Sequence, residues 1–264
     1  MQNMKTAGRF SVIYQDNRII VVNKASGISV SPDRWDDSKE RLDRLVGELP
    51  GIQDLEIPGK VFTVHRIDRD TSGVVLFAKN ADTHRRLSLA FEERAVEKRY
   101  TAIINGRPAW KETSCDLPLV PNGNKKHMTI VDKFRGKKSL TRFTLLYYAG
   151  NYSIVQAIPE TGRTHQIRVH LAALGFPVAC DQLYGKGDPV FLSAIKRNWR
   201  GDAFDEKPLL ARLGLHAAEL SIPANLLSSG QNGDEPEALT SFLAPLQRDM
   251  AALIKQMEKI GKPA

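Results

Sequence analysis

Two arginines, two aspartates and a histidine fall within six residues at His65-Arg66-Ile67-Asp68-Arg69-Asp70, and Thr71-Ser72-Gly73 follows at once. Thr-Ser-Gly already supplies the chemistry of a tight turn, so the ionisable groups ahead of it exceed what a connection needs. A carboxylate beside guanidinium groups stays ionised, because the opposite charge favours its charged form. That suits a nucleophile and disqualifies a proton donor at neutral pH. On residue type alone Asp68 and Asp70 are both open to the role, and the plain alternative is a solvated turn with weak local ion pairs.

The flanking residues say how such a cluster is held. Val61, Phe62 and Val64 lead in as a short strand and Val74 to Ala78 leave as a buried one, which places the polar residues on a connection between strands. Upstream, Phe10 to Tyr14 and Arg18 to Asn23 read as a hairpin, and a short helix is expected from Ser38 to about Leu49, ended by Pro50-Gly51. Downstream, Asn80 or Asp82 can cap a helix that carries Leu87, Leu89, Ala90 and Phe91 on its apolar side and ends near Arg94. Lys98 to Gly106 is a strand with a basic entrance. Ser139 to Tyr148 and Tyr152 to Pro159 form a hairpin, and Leu215 to Ile222 is a further strand. Residues 184 to 212 read as an insertion loop with a helical piece. After a polar break from Gln231 to Glu235, Leu243, Leu246, Met250, Ile254 and Met257 recur at the steps of an amphipathic helix. Strands linked partly by hairpins and partly by helices predict an α+β fold: a mixed, mostly antiparallel central sheet with flanking helices. The expected organisation is an N-terminal extension at 1–9, one catalytic domain at 10–230, and a polar break with the C-terminal helix at 231–264.

Composition narrows the partners. The formal charge of +8 and a pI near 9.5 favour a polyanion. No run of about 18 apolar residues is present to span a bilayer, and Met1 to Thr6 lacks the apolar core of a signal peptide. Cys115 and Cys180 form no CxxC pair, so neither a disulfide framework nor a cysteine zinc site is indicated, and a reduced, cytoplasmic setting is expected. Asn151-Tyr152-Ser153 is read as a chance sequon in that setting. A five-residue step turns about 140° around a helix, so His165 and His170 lie on different faces and make no zinc pair. No GxxxxGK[ST] or strand-linked GxGxxG loop offers a nucleotide cradle, and no nucleophilic serine elbow occurs. No metal or cofactor is expected.

Two more stretches carry polar chemistry. Glu160-Thr161-Gly162-Arg163-Thr164-His165-Gln166-Ile167-Arg168-Val169-His170-Leu171 opens with a turn, can be capped by Thr164, and continues as a helix to Gly175. Lys125, Lys126, His127, Lys133, Arg135, Lys137 and Lys138 make residues 125 to 138 the most basic run of the chain, and Lys125 and Lys126 are taken as candidate phosphate contacts.

The run from His65 to Lys79 resembles the HRLDxxTSGLLLxAK signature of RluA-type RNA pseudouridine synthases, with Ile67 in place of Leu. The resemblance extends over about residues 10 to 222 and includes Lys98-Arg99-Tyr100-Thr101-Ala102 and the TGRTHQIRxHL stretch. It implies that Asp68 is the nucleophile, whereas Asp70 falls on a variable position. It also implies that Tyr100 stacks on the target uracil and serves the final proton removal, and that Arg168 pairs with the catalytic carboxylate. Arg66 would fill the space left by the flipped base, while Arg163 and His165 would support the site or the RNA backbone. Relatives often carry an N-terminal S4 domain; here the catalytic domain is expected to begin near residue 10. The family usually has glycine before the aspartate of Cys180-Asp181-Gln182-Leu183-Tyr184-Gly185, so a left-handed conformation there would strain Cys180.

The expected reaction is isomerisation of uridine to pseudouridine in ribosomal RNA by a monomer, with transfer RNA as the alternative substrate. The rival from another class is a non-catalytic RNA-binding or ribosome-assembly factor, against which the joint presence of Asp68, Tyr100 and Arg168 argues. A hydrolase would need a second poised acid, and none is suggested near the motif.

Overall fold

A computed structural model describes residues 8–32, 40–55, 57–125, 128–227 and 239–263. In chain order the elements are β1 (Phe10–Gln15), β2 (Ile19–Lys24), α1 (Leu42–Gly47), β3 (Phe62–Thr63), β4 (Ser72–Ala78), α2 (Ala81–Glu92), β5 (Glu97–Asn105), β6 (Glu112–Cys115), β7 (Leu119–Val120), β8 (Ile130–Val131), β9 (Thr141–Ala149), β10 (Tyr152–Pro159), α3 (Gln166–Ala173), α4 (Leu192–Ile195), β11 (Leu215–Pro223), β12 (Leu239–Leu243), α5 (Arg248–Ile260) and β13 (Lys262–Pro263). The architecture is α+β with mostly antiparallel strands, as the strand and turn pattern predicts.

The chain divides into two compact units. The first comprises residues 1–98 and 217–245. Its strands run in the order β1-β2-β4-β11, with β3 on β4 and β12 on β11. Every residue of β2 and of β4 is buried, which is why each carries a continuous apolar run, Ile19 to Val22 and Val74 to Ala78, rather than an alternating pattern. Asn80 caps α2, its side chain accepting from the Thr83 N–H at 2.9 Å. The buried stripe of α2 is Thr83, Leu87 and Ala90; Leu89, expected on that stripe, is 49% exposed because the helix turns it outward.

The second unit comprises residues 99–216 and 246–264. Here the order is β5-β10-β9-β13, with β6 on β9, and β7 and β8 pair as a separate two-stranded ribbon. Two clusters fill it. One joins Ala102 and Ile104 of β5, Phe143 and Leu145 of β9, Val155 of β10, and Ile167 and Leu171 of α3. The other seats Met250, Leu253 and Met257 of α5 against Ile103, Ile154 and Ala179.

Three expectations change. The helical pattern at the C-terminus starts too early, because Leu243 lies in β12, paired to Glu219, and α5 begins at Arg248. The helix expected from Ser38 is observed only as Leu42–Gly47, and its proposed start lies outside the described residues. α3 is entered through His165 in the left-handed conformation (φ 55°), with no side-chain cap from Thr164.

Candidate active site

In the first unit the connection carrying Asp68 is fastened through its main chain. Lys24, at the end of β2, is wholly buried, and its ammonium donates to the carbonyl oxygens of Ala25 (2.9 Å), Ile28 (2.8 Å) and Arg69 (2.8 Å). The Arg69 carbonyl also accepts from the Gly27 N–H at 2.9 Å, the Ser26 hydroxyl donates to the Asp70 carbonyl at 2.7 Å, and the Thr71 N–H closes onto the Asp68 carbonyl at 3.1 Å. Along this connection Ile67 is buried, Asp68 is partly buried and Arg66 is exposed. Arg69 and Asp70 pair with each other at 3.2 Å in solvent.

The histidine of the cluster serves the frame. His65 Nε2 accepts the Leu76 N–H at 3.0 Å and its ring stacks on Phe91 with centroids 4.8 Å apart. Burial, helped by the nearby Lys98 charge, pushes its pKa down to about 3, so the ring is neutral and accepts through Nε2. Gly73 at the start of β4 has φ +118°, and a Cβ there would run into the backbone of Ala217 on β11. The glycine of the Thr-Ser-Gly turn is therefore required twice over, by conformation and by close approach.

In the second unit the TGRTHQIR stretch forms a polar knot at the start of α3. Thr161 donates to Gln166 Oε1 at 2.7 Å and accepts the Leu140 N–H at 3.1 Å, and the Gln166 amide donates to the Leu140 carbonyl at 3.0 Å and to the Thr141 hydroxyl at 2.9 Å. The Arg163 N–H donates to the same Gln166 oxygen at 3.0 Å, while its Nε reaches the Lys138 carbonyl at 3.2 Å. About one turn on, His170 is wholly buried between the Ser139 and Thr141 hydroxyls and the Leu117 carbonyl, and burial pushes its pKa down.

Arg168 is 4% exposed, and it makes a two-pronged pair: Nε to Asp181 Oδ2 at 2.7 Å and Nη2 to Asp181 Oδ1 at 2.8 Å. Asp181 also accepts the N–H groups of Leu183 (2.9 Å) and Tyr184 (3.1 Å). Burial alone would push its carboxyl up, but the Arg168 hydrogen bonds and charge, with the two backbone donors, outweigh this and hold its pKa below the usual range. The Arg168 guanidinium lies 5.1 Å from the ring centroid of Tyr184, whose hydroxyl meets His165 Nδ1 at 2.8 Å and accepts the Thr129 N–H at 2.9 Å. His165 and Arg168 thus belong to one bonded set, with Asp181 and Tyr184 as members that residue patterns had not singled out. Tyr100, on β5 opposite Ala157, packs on the cluster that contains Ile167. Lys125 is exposed, and Lys126 lies outside the described residues.

A family model described as RNA pseudouridylate synthase matches residues 18–173. The ribosomal large subunit pseudouridine synthase D of Zymomonas mobilis is 31% identical over 93% of this chain and 72% of its own length. The dual-specificity RNA pseudouridine synthase RluA of Vibrio vulnificus is 33% identical over 80% of this chain and 76% of that protein. The chain belongs to the RluA-type RNA pseudouridylate synthases. A third synthase, D of Borreliella burgdorferi, is 38% identical over 67% of this chain, which spans 55% of that longer protein. In fold, the human RNA pseudouridylate synthase domain containing 4 superposes with a TM-score of 0.68 at 20% identity, covering 94% of this chain and 92% of its own.

Within this synthase the expectation for Cys180 is met. Its φ is +60°, in the left-handed region that glycine occupies without cost, and its side chain is 5% exposed. The residue directly before the clamping carboxylate is thus held in a strained turn. The sequence signals for Asp181 and Tyr184 were their place beside that unusual cysteine; for Lys24 the signal was a lysine closing a run of buried Ile and Val. Among the described residues no cluster of three or more metal-ligating side chains occurs, and no helix is long and apolar enough to cross a membrane.

Proposed function

We propose that this synthase isomerises specific uridines of ribosomal RNA to pseudouridine, with Asp68 as the nucleophile. The observation that carries the reading is Asp68 itself: a partly buried carboxylate on a connection whose backbone is tied down by Lys24, Ser26 and Gly27, at the aspartate position of a family-length motif. A nucleophile held on fixed backbone needs little reorganisation at the moment of attack. The substrate class follows the large-subunit ribosomal synthases among the relatives.

In this mechanism the target base leaves its stack, at a cost of a few kcal/mol that is smaller in a loop or weak helix. Asp68 attacks, the bond between N1 and C1′ breaks, the uracil turns, C5 joins C1′, and the bond to Asp68 breaks to release the carboxylate. The proton lost from C5 balances the one N1 gains, so the isomerisation needs no net oxidant or reductant. Tyr100 stacks on the uracil and takes the C5 proton. Arg168, fixed by Asp181, is the guanidinium that the family resemblance assigns to the catalytic carboxylate, and Arg66 occupies the place of the extruded base. Arg163, His165, Lys125 and Lys126 serve RNA binding. Residues 10–230 carry this machinery, in a monomeric cytoplasmic protein.

The test is tritium release from RNA labelled at uridine C5, with ribosomal and transfer RNA pools from cells lacking the enzyme. Release from the ribosomal pool is expected, with loss of at least about 10³-fold in Asp68→Asn and RNA affinity within a few fold of the wild type. Full activity in Asp68→Asn would overturn the mechanism, and release from the transfer pool alone would overturn the substrate.

A further inference from the structure

Among the described residues two aromatic side chains stand almost wholly in solvent, Phe134 at 98% and Phe204 at 99% exposure. Neither ring gains from burial, yet both sit on ordered turns. At Phe134, Asp132 Oδ1 accepts the N–H groups of Phe134 and Arg135, each at 2.9 Å, and Oδ2 accepts Arg135 Nε at 2.8 Å. The turn closes with Gly136 N–H on the Asp132 carbonyl at 2.9 Å, and a Cβ on Gly136 would strike that oxygen and the backbone of Pro118 and Leu119. At Phe204 the Asp202 carboxylate caps the Phe204 N–H at 2.9 Å in the same manner.

The surroundings separate them. Within four residues on either side, Phe134 has exposed Lys133, Arg135, Lys137 and Lys138 against one acid, Asp132, whereas Phe204 has Arg200 and Lys207 against Asp202, Asp205 and Glu206. An exposed aromatic ring on a hydrogen-bonded turn rich in cations suits unpaired nucleic acid: the ring stacks on a base and the cations neutralise adjacent phosphates. The segment is also stitched to the knot at α3 through Arg163 to the Lys138 carbonyl and Thr161 to the Leu140 N–H. A base held at Phe134 is therefore in fixed register with the stretch that carries Arg163 and Arg168.

We propose that Phe134 is a stacking platform for an unpaired RNA base other than the reacting uridine, with Lys133, Arg135, Lys137 and Lys138 on the flanking phosphates. The inference rests on RNA being the substrate. It predicts a preference for RNA with a single-stranded segment beside the target, which phosphate contacts alone would not give.

The test is equilibrium binding of fluorescein-labelled oligouridylate and of a blunt, fully paired RNA duplex to the full chain. Phe134→Ala is expected to weaken oligouridylate binding about 5- to 100-fold with the slope of log affinity against log salt unchanged, and to leave duplex binding as it was. Phe134→Tyr recovers the loss and Phe134→Leu does not. Lys133→Ala reduces the salt slope by about 0.7, and Phe204→Ala changes nothing. Oligouridylate binding within twofold of wild type in Phe134→Ala, equal rescue by Leu and Tyr, or an equal loss in Phe204→Ala would each overturn the inference. Those outcomes leave the isomerase reading standing, since Asp68-dependent tritium release from ribosomal RNA tests that separately.

Discussion

The ammonium of Lys24 lies out of water and gives its protons to three carbonyl oxygens, one of them on Arg69 beside the proposed nucleophile. Removing it leaves the Ala25 and Ile28 carbonyls without this donor, at about 1–3 kcal/mol for each unsatisfied buried group, while the Arg69 carbonyl keeps the Gly27 N–H. Lys24→Met should therefore lower the urea midpoint by an amount worth about 2 kcal/mol, and should lower turnover at temperatures where the variant is fully folded. An unchanged midpoint would show that the carbonyls find other donors. His65 carries the opposite burden. Its pKa is near 3 in the folded chain and about 6.5 when unfolded, so the unfolded chain takes up the proton first. Stability is then present above about pH 6.5 and is lost as pH falls from there toward 3. His170 is shifted in the same direction and adds to the same limb. In His65→Gln the fall of unfolding free energy between pH 6.5 and 4 should be shallower than in wild type; a parallel limb would assign acid sensitivity to other groups.

At the scale of elements, β4 depends on one residue that has no side chain. A methyl group at Gly73 would meet the Ala217 backbone while holding a φ of +118°, so Gly73→Ala must move β4 and β11 apart or twist the turn that follows Asp68. Loss of the folded state, or a drop of several degrees in Tm with activity near zero, is expected by thermal melting and tritium release; a variant with wild-type Tm would show that the turn relaxes freely. The sequence announced β4 because seven buried residues in a row leave a plain apolar run, and it announced α2 because Asn80 is a strong cap. It did not announce β7, β8 or β13, since two-residue ladders are made by their partners and have no local pattern to read. Leu243 and Leu246 fit the helical spacing by coincidence, and pairing with β11 overrides it at Leu243. The same logic governs the site. Asp68, Tyr100, Arg163, His165 and Arg168 sit in contiguous motifs, so a sequence can nominate them. Asp181 and Lys24 act on groups 13 and 45 residues away, and only the folded chain brings those pairs together.

At the scale of the molecule, the chain passes between its two units three times, after residues 98, 216 and 245. Nothing in local composition marks those crossings, so no periodicity argument could have placed α5 with residues 99–216; its Met250, Leu253 and Met257 do so by packing. Cys115 and Cys180, the chain's two cysteines, both lie in that second unit. Both are buried, and burial pushes both thiols up, Cys180 to about 11. Only a thiolate reacts readily with an alkylating reagent, so at neutral pH the closed second unit is nearly inert. Each alkylation event then counts an excursion in which that unit opens, while opening of the cysteine-free first unit leaves no chemical trace. The molecule carries its own one-sided clock, and the time it keeps with and without bound RNA reports how firmly RNA holds the half that bears Arg168.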